Sequence, residues 1–255
     1  MSAGTSRQPQ PRLDLAGRVV LVTGASRGIG AATCTALTRL GAVVVAAGRD
    51  ETALAAVAAS STVVADAADP AAAPALVGAA IDRHGRLDAV VANAGLGWAG
   101  EFAGMEPARI TELVDVNLRA PMLLARAALP ALRRPGALVF VTSIAGLVGV
   151  PGETVYSVTK AGLETFAALL REEVEGITVS TVAPGAVDTG FFTTRGVPYD
   201  RSFPRPIPPS RVADAVVEAI ATGRPRRVEP RWLAVPARLS ATAPRTYRAL
   251  ARRFG

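Results

Sequence analysis

Short runs dense in valine recur along the chain, at 18–24 (RVVLVTG), 42–48 (AVVVAAG), 61–66 (STVVAD), 87–95 (LDAVVANAG), 137–143 (ALVFVTS) and 177–185 (ITVSTVAPG). Between them lie longer alanine- and leucine-rich stretches whose apolar residues return every three or four positions. A continuous apolar run suits a strand buried on both faces, and the longer period suits a helix covering it, so the alternation predicts a parallel sheet with helices on both sides. A seventh short strand is expected at 226–230 (RRVEP). Residues 1–15 are polar and proline-bearing and are expected to form a flexible N-terminal arm, with one α/β domain over 16–230. The stretch 190–210 mixes aromatics, prolines and arginines without a period, which in a domain of this size points to a substrate lid.

Composition narrows the class. At 255 residues and 50% hydrophobic, the chain can bury a sizeable core as one domain. No apolar run is long enough to span a membrane and the first residues lack a signal-peptide core, so a cytoplasmic location is expected. The single cysteine, Cys34, excludes a disulfide framework and is expected to be buried and inert. His84, the only histidine, precedes Gly85 at an expected helix end and has no metal or triad companions nearby.

The net charge of +7 is unevenly spread. Residues 201–255 carry twelve arginines against Asp214, Glu218 and Glu229, an excess of +9, which leaves −2 for the first 200 residues. No zinc-finger, basic-zipper or aromatic RNA-binding pattern accompanies this charge, so nucleic acid is not an expected partner. The basic extension at 231–255 offers a solvated face, a subunit contact or a contact with an anionic membrane, and packing on or beside the domain is the preferred reading.

Chemistry is concentrated at a few points. Lys160 is the only lysine beside 27 arginines, and it stands four residues after Tyr156 in YSVTK. On a helix that spacing puts the ammonium near the phenol, where it favours the ionised form and makes Tyr156 a candidate general acid/base. The first strand runs into TGASRGIG, with Gly24, Gly28 and Gly30 at its turn. Glycines at a tight turn opening a helix allow close approach of a pyrophosphate to the helix's amides. After a valine-rich strand this is a dinucleotide-binding signal, here spaced G-x-x-x-G-x-G.

TGASRGIG, ANAG at 92–95, Asn117 in VNLRAP, Ser143, YSVTK at 156–160 and PGAVDT at 184–189 together resemble the successive motifs of the short-chain dehydrogenase/reductase family, over about residues 17–190. The resemblance implies a single-domain Rossmann fold: a doubly wound, seven-stranded parallel sheet in the order 3-2-1-4-5-6-7, with its site at the carboxyl ends of the strands where that order reverses. It implies that Tyr156 exchanges a proton with the substrate oxygen and that Ser143 hydrogen-bonds that oxygen. It further implies that Lys160 lowers the phenol pKa and holds the nicotinamide ribose, and that Asn117 completes a proton relay. No metal is required.

Cofactor contacts implied in the same way are Gly24, Ser26, Arg27, Gly28, Ile29 and Gly30 at the turn; Asn93, Ala94 and Gly95 beside the adenosine ribose; and Asp66 at the adenine. Tyr156, Lys160, Pro184, Gly185, Val187 and Thr189 stand at the nicotinamide end. Where NAD-preferring members place an acidic residue at the end of the second strand, this chain has Gly48 and then Arg49. A carboxylate repels a 2′-phosphate and an arginine binds it, with Arg27 as a second cation, so NADP(H) is the expected cofactor.

The expected pocket walls, Leu96, Gly97 and Trp98, residues 144–150, Phe191 and Phe192, are mostly apolar. They predict a ketone or aldehyde on a hydrophobic skeleton, or the matching alcohol, as the small-molecule substrate. Arg195, Arg201 and Arg205 offer an anionic substrate group an alternative seat. A 3-oxoacyl reductase is one alternative, and an NADP-binding scaffold or sensor with a docking tail is another. The resemblance also implies a homodimer or homotetramer, paired through long helices around 105–133 and 153–174.

Overall fold

The computed structural model describes residues 13–200 and 203–254, with side chains to 250. Seven strands form one all-parallel sheet in the order β3-β2-β1-β4-β5-β6-β7: β1 Val19–Thr23, β2 Val43–Gly48, β3 Ser61–Val64, β4 Leu87–Ala92, β5 Leu132–Val141, β6 Ile177–Pro184 and β7 Arg226–Glu229. This is the expected doubly wound order. It reverses between β1 and β4, so the carboxyl ends of those strands open a crevice. The one strand misjudged at its start is β5, where Leu132 already pairs with Leu87 and the register shifts before Ala137 meets Ala89. The RRPG sequence hides that start, because proline and glycine signal a loop.

Alternation within β1 assigns the two faces. Val20 and Val22 pack with Cys34 and Leu37 of α1 (Gly28–Arg39) and with Val212, Val216 and Ile220 of α9 (Pro209–Thr222). Val19 and Leu21 face the other way, toward Leu76 of α3 (Ala72–His84), Leu124 of α5 (Ala120–Ala128) and Leu163 of α7 (Thr154–Glu173). Local chemistry sets the helix ends. Asp50 caps the short α2 (Glu51–Ala55) by accepting from the Ala53 amide, and α3 stops at Gly85 in the left-handed conformation. Cys34 is buried and burial pushes its thiol up to about 12, as an inert core residue requires. His84 hydrogen-bonds Ser61 and belongs to no cluster of metal-ligating side chains among the described residues.

Two expected boundaries move. Residues 1–12 of the expected arm lie outside the described residues, but 13–15 are not loose. Leu13 and Leu15 are buried, and the Leu13 amide donates to the Ala221 carbonyl beside α9. The apolar pair pays for its ordering by covering the α1/α9 layer. At the other end, α10 (Ala234–Thr242) packs on α6 (Ile144–Val148), whereas α11 (Pro244–Phe254) packs on α10. The tail therefore sits beside the domain with its last helix held at one remove. No helix among the described residues is long and apolar enough to cross a membrane.

Candidate active site

The turn after β1 is fixed from β4. The Asn93 side chain donates to the carbonyls of Thr23 (3.0 Å) and Gly24 (3.1 Å), while the Asn93 amide donates to Thr23 Oγ1. Gly24 has φ +63°, and a Cβ there would lie 2.7 Å from Ala94 Cα. A Cβ on Gly30 would run into the Gly24 carbonyl oxygen and the Asn93 amide group. Glycine is needed at both places because two backbones and a helix end meet there. The helix that follows, α1, has no side-chain cap at Arg27 and no acidic residue in its first turn. Its first amides are left for an outside acceptor, which is what an anion-binding helix start requires.

Several sequence-predicted residues converge on this crevice. Gly28 abuts Thr189, so the turn after β1 meets the segment after β6. Pro184 closes β6, the Gly185 amide donates to the Glu229 carbonyl, and Val187 bridges Ile207. Ile29 packs against the α1/α9 core layer. Ala94 lines a small apolar depression with Ala67 and Val116. Asp66 lies on the same side of the crevice, with one carboxylate oxygen accepting from the Ala68 amide.

The two arginines at the β2 end are not bare. Arg49 stands 3.8 Å from Asp66 and Arg27 pairs with Asp50 at 2.8 Å, both guanidiniums more than half exposed and both carboxylates somewhat less. Exposed pairs of this kind hold weakly and exchange readily for a stronger anion. Gly48 touches Ser26, and a Cβ at 48 would collide with the Ser26 hydroxyl. A side chain at 48 would have to displace that hydroxyl, and with glycine there the end of β2 carries no carboxylate.

Toward the other end, α4 (Pro107–Val114) runs into α5 through one wide π-helical turn, Asp115–Arg119, which carries Asn117. Asn117 is fully buried, its Oδ1 accepting from the Leu96 amide and its Nδ2 donating to the Leu96 carbonyl, both at 2.8 Å. Lys160 donates to the Val141 carbonyl at 3.1 Å. A side chain at Gly95 would come within 3.3 Å of the Lys160 Nζ and 3.2 Å of the Asn117 Oδ1, so the three meet at one point. Ser143 caps α6, its Oγ accepting from the Ala145 amide, which turns its own proton away from the helix and toward Tyr156.

One electrostatic expectation is corrected. Burial pushes the Tyr156 phenol up to about 12; the Ser143 hydrogen bond and the charge of Arg195 pull against this, and the charge of Glu153 adds to it. The ammonium of Lys160 lies 5.9 Å from the Tyr156 ring centre, and the burial of the phenol works against it. Burial also lowers Lys160 itself to about 8. Helical spacing correctly makes the two residues neighbours, but the lysine is turned to the β5 carbonyl, and desolvation outweighs its pull.

The segment expected to form a lid, described over 190–200 and 203–210, is rooted by parallel pairing of Val187 with Ile207 and includes α8 (Phe191–Thr194). Arg201, one expected anion seat, lies outside the described residues. Arg195, a second, is engaged by Glu153 and the Val197 carbonyl, and Glu153 is a site residue the sequence reading missed. Forty-two positions separate Glu153 from Arg195, so no local spacing could have signalled the pair.

The family model for short chain dehydrogenases matches residues 18–197. The chain belongs to the short-chain dehydrogenase family. Among curated relatives of this family member, a ketoacyl reductase, HetN, from Nostoc sp. is 36% identical over 223 residues, covering 81% of this chain and 76% of the relative. A short chain dehydrogenase/reductase from Burkholderia phymatum, solved in complex with NAD, superposes with TM-score 0.80 and 25% identity, covering 90% of this chain and 94% of that one. A short chain dehydrogenase from Burkholderia cenocepacia, solved in complex with NADP, has TM-score 0.76 and 28% identity, covering 85% and 97%. This dehydrogenase-family chain is thus an oxidoreductase by family, on a Rossmann sheet shared with cofactor-bound neighbours.

Proposed function

We propose that the protein is an NADP(H)-dependent oxidoreductase that interconverts a ketone or aldehyde and an alcohol on a hydrophobic substrate. The observation that carries this reading is the convergence of Ser143, Tyr156, Lys160 and Asn117, all buried, beside a glycine turn and an uncapped helix start. The crevice fits a dinucleotide: the α1 amides and Gly24, Gly28 and Gly30 take the pyrophosphate, and Ala94 and Asp66 take the adenosine. Pro184, Gly185, Val187 and Thr189 take the nicotinamide end. When bound there, the nicotinamide supplies the hydride donor or acceptor.

The chain's own residues then handle charge and protons. Hydride arriving at a carbonyl carbon leaves negative charge on oxygen, which must meet a hydrogen-bond donor and a proton. Ser143 donates to that oxygen and Tyr156 protonates it. Lys160, held by Val141, binds the ribose hydroxyls, and Asn117 beside it completes the path by which the phenol is reprotonated. A phenol kept protonated by burial is suited to giving a proton to a carbonyl oxygen, so this environment favours the reductive direction.

Support for NADP(H) over NAD(H) comes from the absence of a carboxylate at Gly48 and from Arg49 and Arg27 with their displaceable partners. Support for a hydrophobic substrate comes from Phe191 against the Tyr156 ring with Phe192 behind it, and from Leu96 and Trp98, which pack with the neighbouring Val155. Likeness to a ketoacyl reductase makes a β-ketoacyl group one candidate within that class. Oxidation of NADPH against a panel of hydrophobic ketones and aldehydes tests the reading; binding of NADPH without turnover of any of them would favour a cofactor-binding scaffold.

Partners follow from exposed surface. Val114 and Met122 on α4 and α5, with Val158 and Leu169 on α7, are exposed apolar residues on the helices expected to pair subunits, which supports a homo-oligomer. The tail from 231 to 255 holds six arginines and no acid. Its exposed Trp232, Val235 and Leu250 add apolar contacts, a combination that suits an anionic membrane surface.

A further inference from the structure

Three separate segments are sewn together above Tyr156. The Ala99 amide, after β4, donates to the Arg195 carbonyl at 3.2 Å, and the Gly100 amide donates to the Gly152 carbonyl at 2.8 Å, just ahead of α7. The guanidinium of Arg195 completes the triangle: it pairs with Glu153, the N-cap residue of α7, and donates through Nε to the Val197 carbonyl. Both side chains of this pair are nearly buried. The same guanidinium lies 4.7 Å from the centre of the Phe192 ring, and Phe192 packs on Phe191 and Tyr199. Phe191 in turn rests 5.5 Å, centre to centre, from the Tyr156 ring.

Closure depends on the absence of a side chain at one position. A Cβ on Gly97 would lie 2.5 Å from Phe191 Cζ and 2.9 Å from Arg195 Cβ, closer than such atoms approach. Gly97 is therefore the seat on which the lid comes down.

We propose that Arg195 and Glu153 form a latch that holds the segment after β6 closed over Tyr156, with Gly97 as its seat, and that productive substrate binding requires this latch to close. The proposal rests on the oxidoreductase reading of the same site and makes Arg195 and Glu153 positioning residues. A buried ion pair is tolerated only while both partners are present, because either one alone is an uncompensated buried charge. Opened to water, both are well solvated. The pair therefore behaves as a two-position contact: closed and paired, or open and hydrated. It also engages Arg195 Nε and Nη1 within the protein, so an anionic substrate group would have to compete with Glu153 for this guanidinium.

The charged and titratable groups around the phenol are Glu153 and Lys160 on α7 and Arg195 on the lid, with the Ser143 hydroxyl at the start of α6 and no charge on residues 96–98. Arg195 draws the phenol pKa down and Glu153 pushes it up. Loss of either residue opens the latch, so removing the cation and removing the anion should loosen the same segments and weaken substrate binding in the same way.

The test uses the full chain as Arg195→Met, Glu153→Gln, the charge-reversed double variant Arg195→Glu/Glu153→Arg, and Gly97→Ala, which obstructs the seat and leaves both charges in place. Amide hydrogen exchange over 96–100 and 190–199 reads the latch without any need for turnover. Exchange there is expected to rise in both single charge variants and in Gly97→Ala, and to return toward the parent in the double variant. With a reducible carbonyl substrate, KM is expected to rise about tenfold in each single variant while NADPH affinity holds, the signature of lost substrate binding. Unchanged exchange in both single variants, or a KM at the parent value in both, overturns the latch. If the parent protein reduces no carbonyl at all, the functional reading fails, and the exchange measurement still decides whether the latch exists.

Discussion

Lys160 donates to the Val141 carbonyl at the end of β5, and burial at that point lowers its pKa from 10.5 to about 8. The lone lysine of the chain is thus held by a strand end rather than aimed at the tyrosine four residues before it. A ribose hydroxyl accepting from the ammonium favours the charged form, so cofactor binding should draw a proton onto the protein where Lys160 is partly neutral. NADPH affinity is expected to be flat below pH 8 and to fall as pH rises above it. Titration calorimetry near pH 8.5 in buffers of different ionisation enthalpy should register proton uptake; no uptake would mean that Lys160 does not meet the cofactor.

The isolated lysine also contributes to stability with a definite sign. Its neutral form is favoured in the fold, so its contribution is complete above the unfolded value of 10.5 and is lost as pH falls toward about 8. Tyr156 works in the opposite sense, its contribution being present below 10 and lost as pH rises toward about 12. Thermal unfolding of Lys160→Met is expected to lose the lysine's part of the alkaline dependence and keep that of the tyrosine.

Arg49 stands beside Asp66 at the end of β2, where Gly48 offers no carboxylate. Hydrogen bonds to charged groups contribute about 1.5–3 kcal/mol, so Arg49→Ala should cut the preference for NADPH over NADH by roughly 10- to 100-fold. NADH affinity should change little. An unchanged ratio of the two dissociation constants would remove Arg49 from the 2′-phosphate site.

Asp88 on β4 ties the start of β1 to its neighbour. It accepts from Arg86, from Arg18 at 3.0 Å and from the Val19 amide at 2.9 Å, and its side chain is fully buried. Burial pushes its carboxyl up, but these hydrogen bonds outweigh that and hold it below the ordinary carboxylate value. The stability it supplies is present above the unfolded value of 3.8 and is lost as pH falls through the lower folded value. Asp88→Ala leaves two arginines facing a buried gap and should cost about 3–5 kcal/mol in denaturant unfolding. It should also weaken the dependence on pH at the acid end.

The tail makes a separate prediction. Co-sedimentation with vesicles containing phosphatidylserine should fall sharply in Arg245→Glu/Arg248→Glu and in high salt, while turnover of a soluble ketone stays at the parent level. Equal binding to neutral and anionic vesicles would contradict an electrostatic contact.

The sheet was legible because valine runs and glycine turns are local signals: six strands fall within a few residues of their expected places, and RRVEP supplies the seventh. The candidate site residues could be named from sequence for the same reason, since each stands at a strand end or in a short motif. What the sequence hid was long-range or context-dependent. Leu13 and Leu15 read as part of a polar arm until α9 gives them a surface to cover. The phenol's raised pKa follows from burial, which the spacing of Tyr156 and Lys160 cannot reveal. Glu153 and Arg195 each look like ordinary surface charge until the lid folds back over α7 and brings them together.

The central claim is that Tyr156 exchanges a proton with a substrate oxygen beside a bound NADP(H). Its most direct test is a comparison of the parent protein with Tyr156→Phe, in NADPH binding by fluorescence and in single-turnover reduction of a hydrophobic ketone. The account predicts unchanged NADPH affinity, tighter than that for NADH, with the reduction step slowed by about 10²–10⁴ in the phenylalanine variant. Reduction at the parent rate in Tyr156→Phe would contradict it.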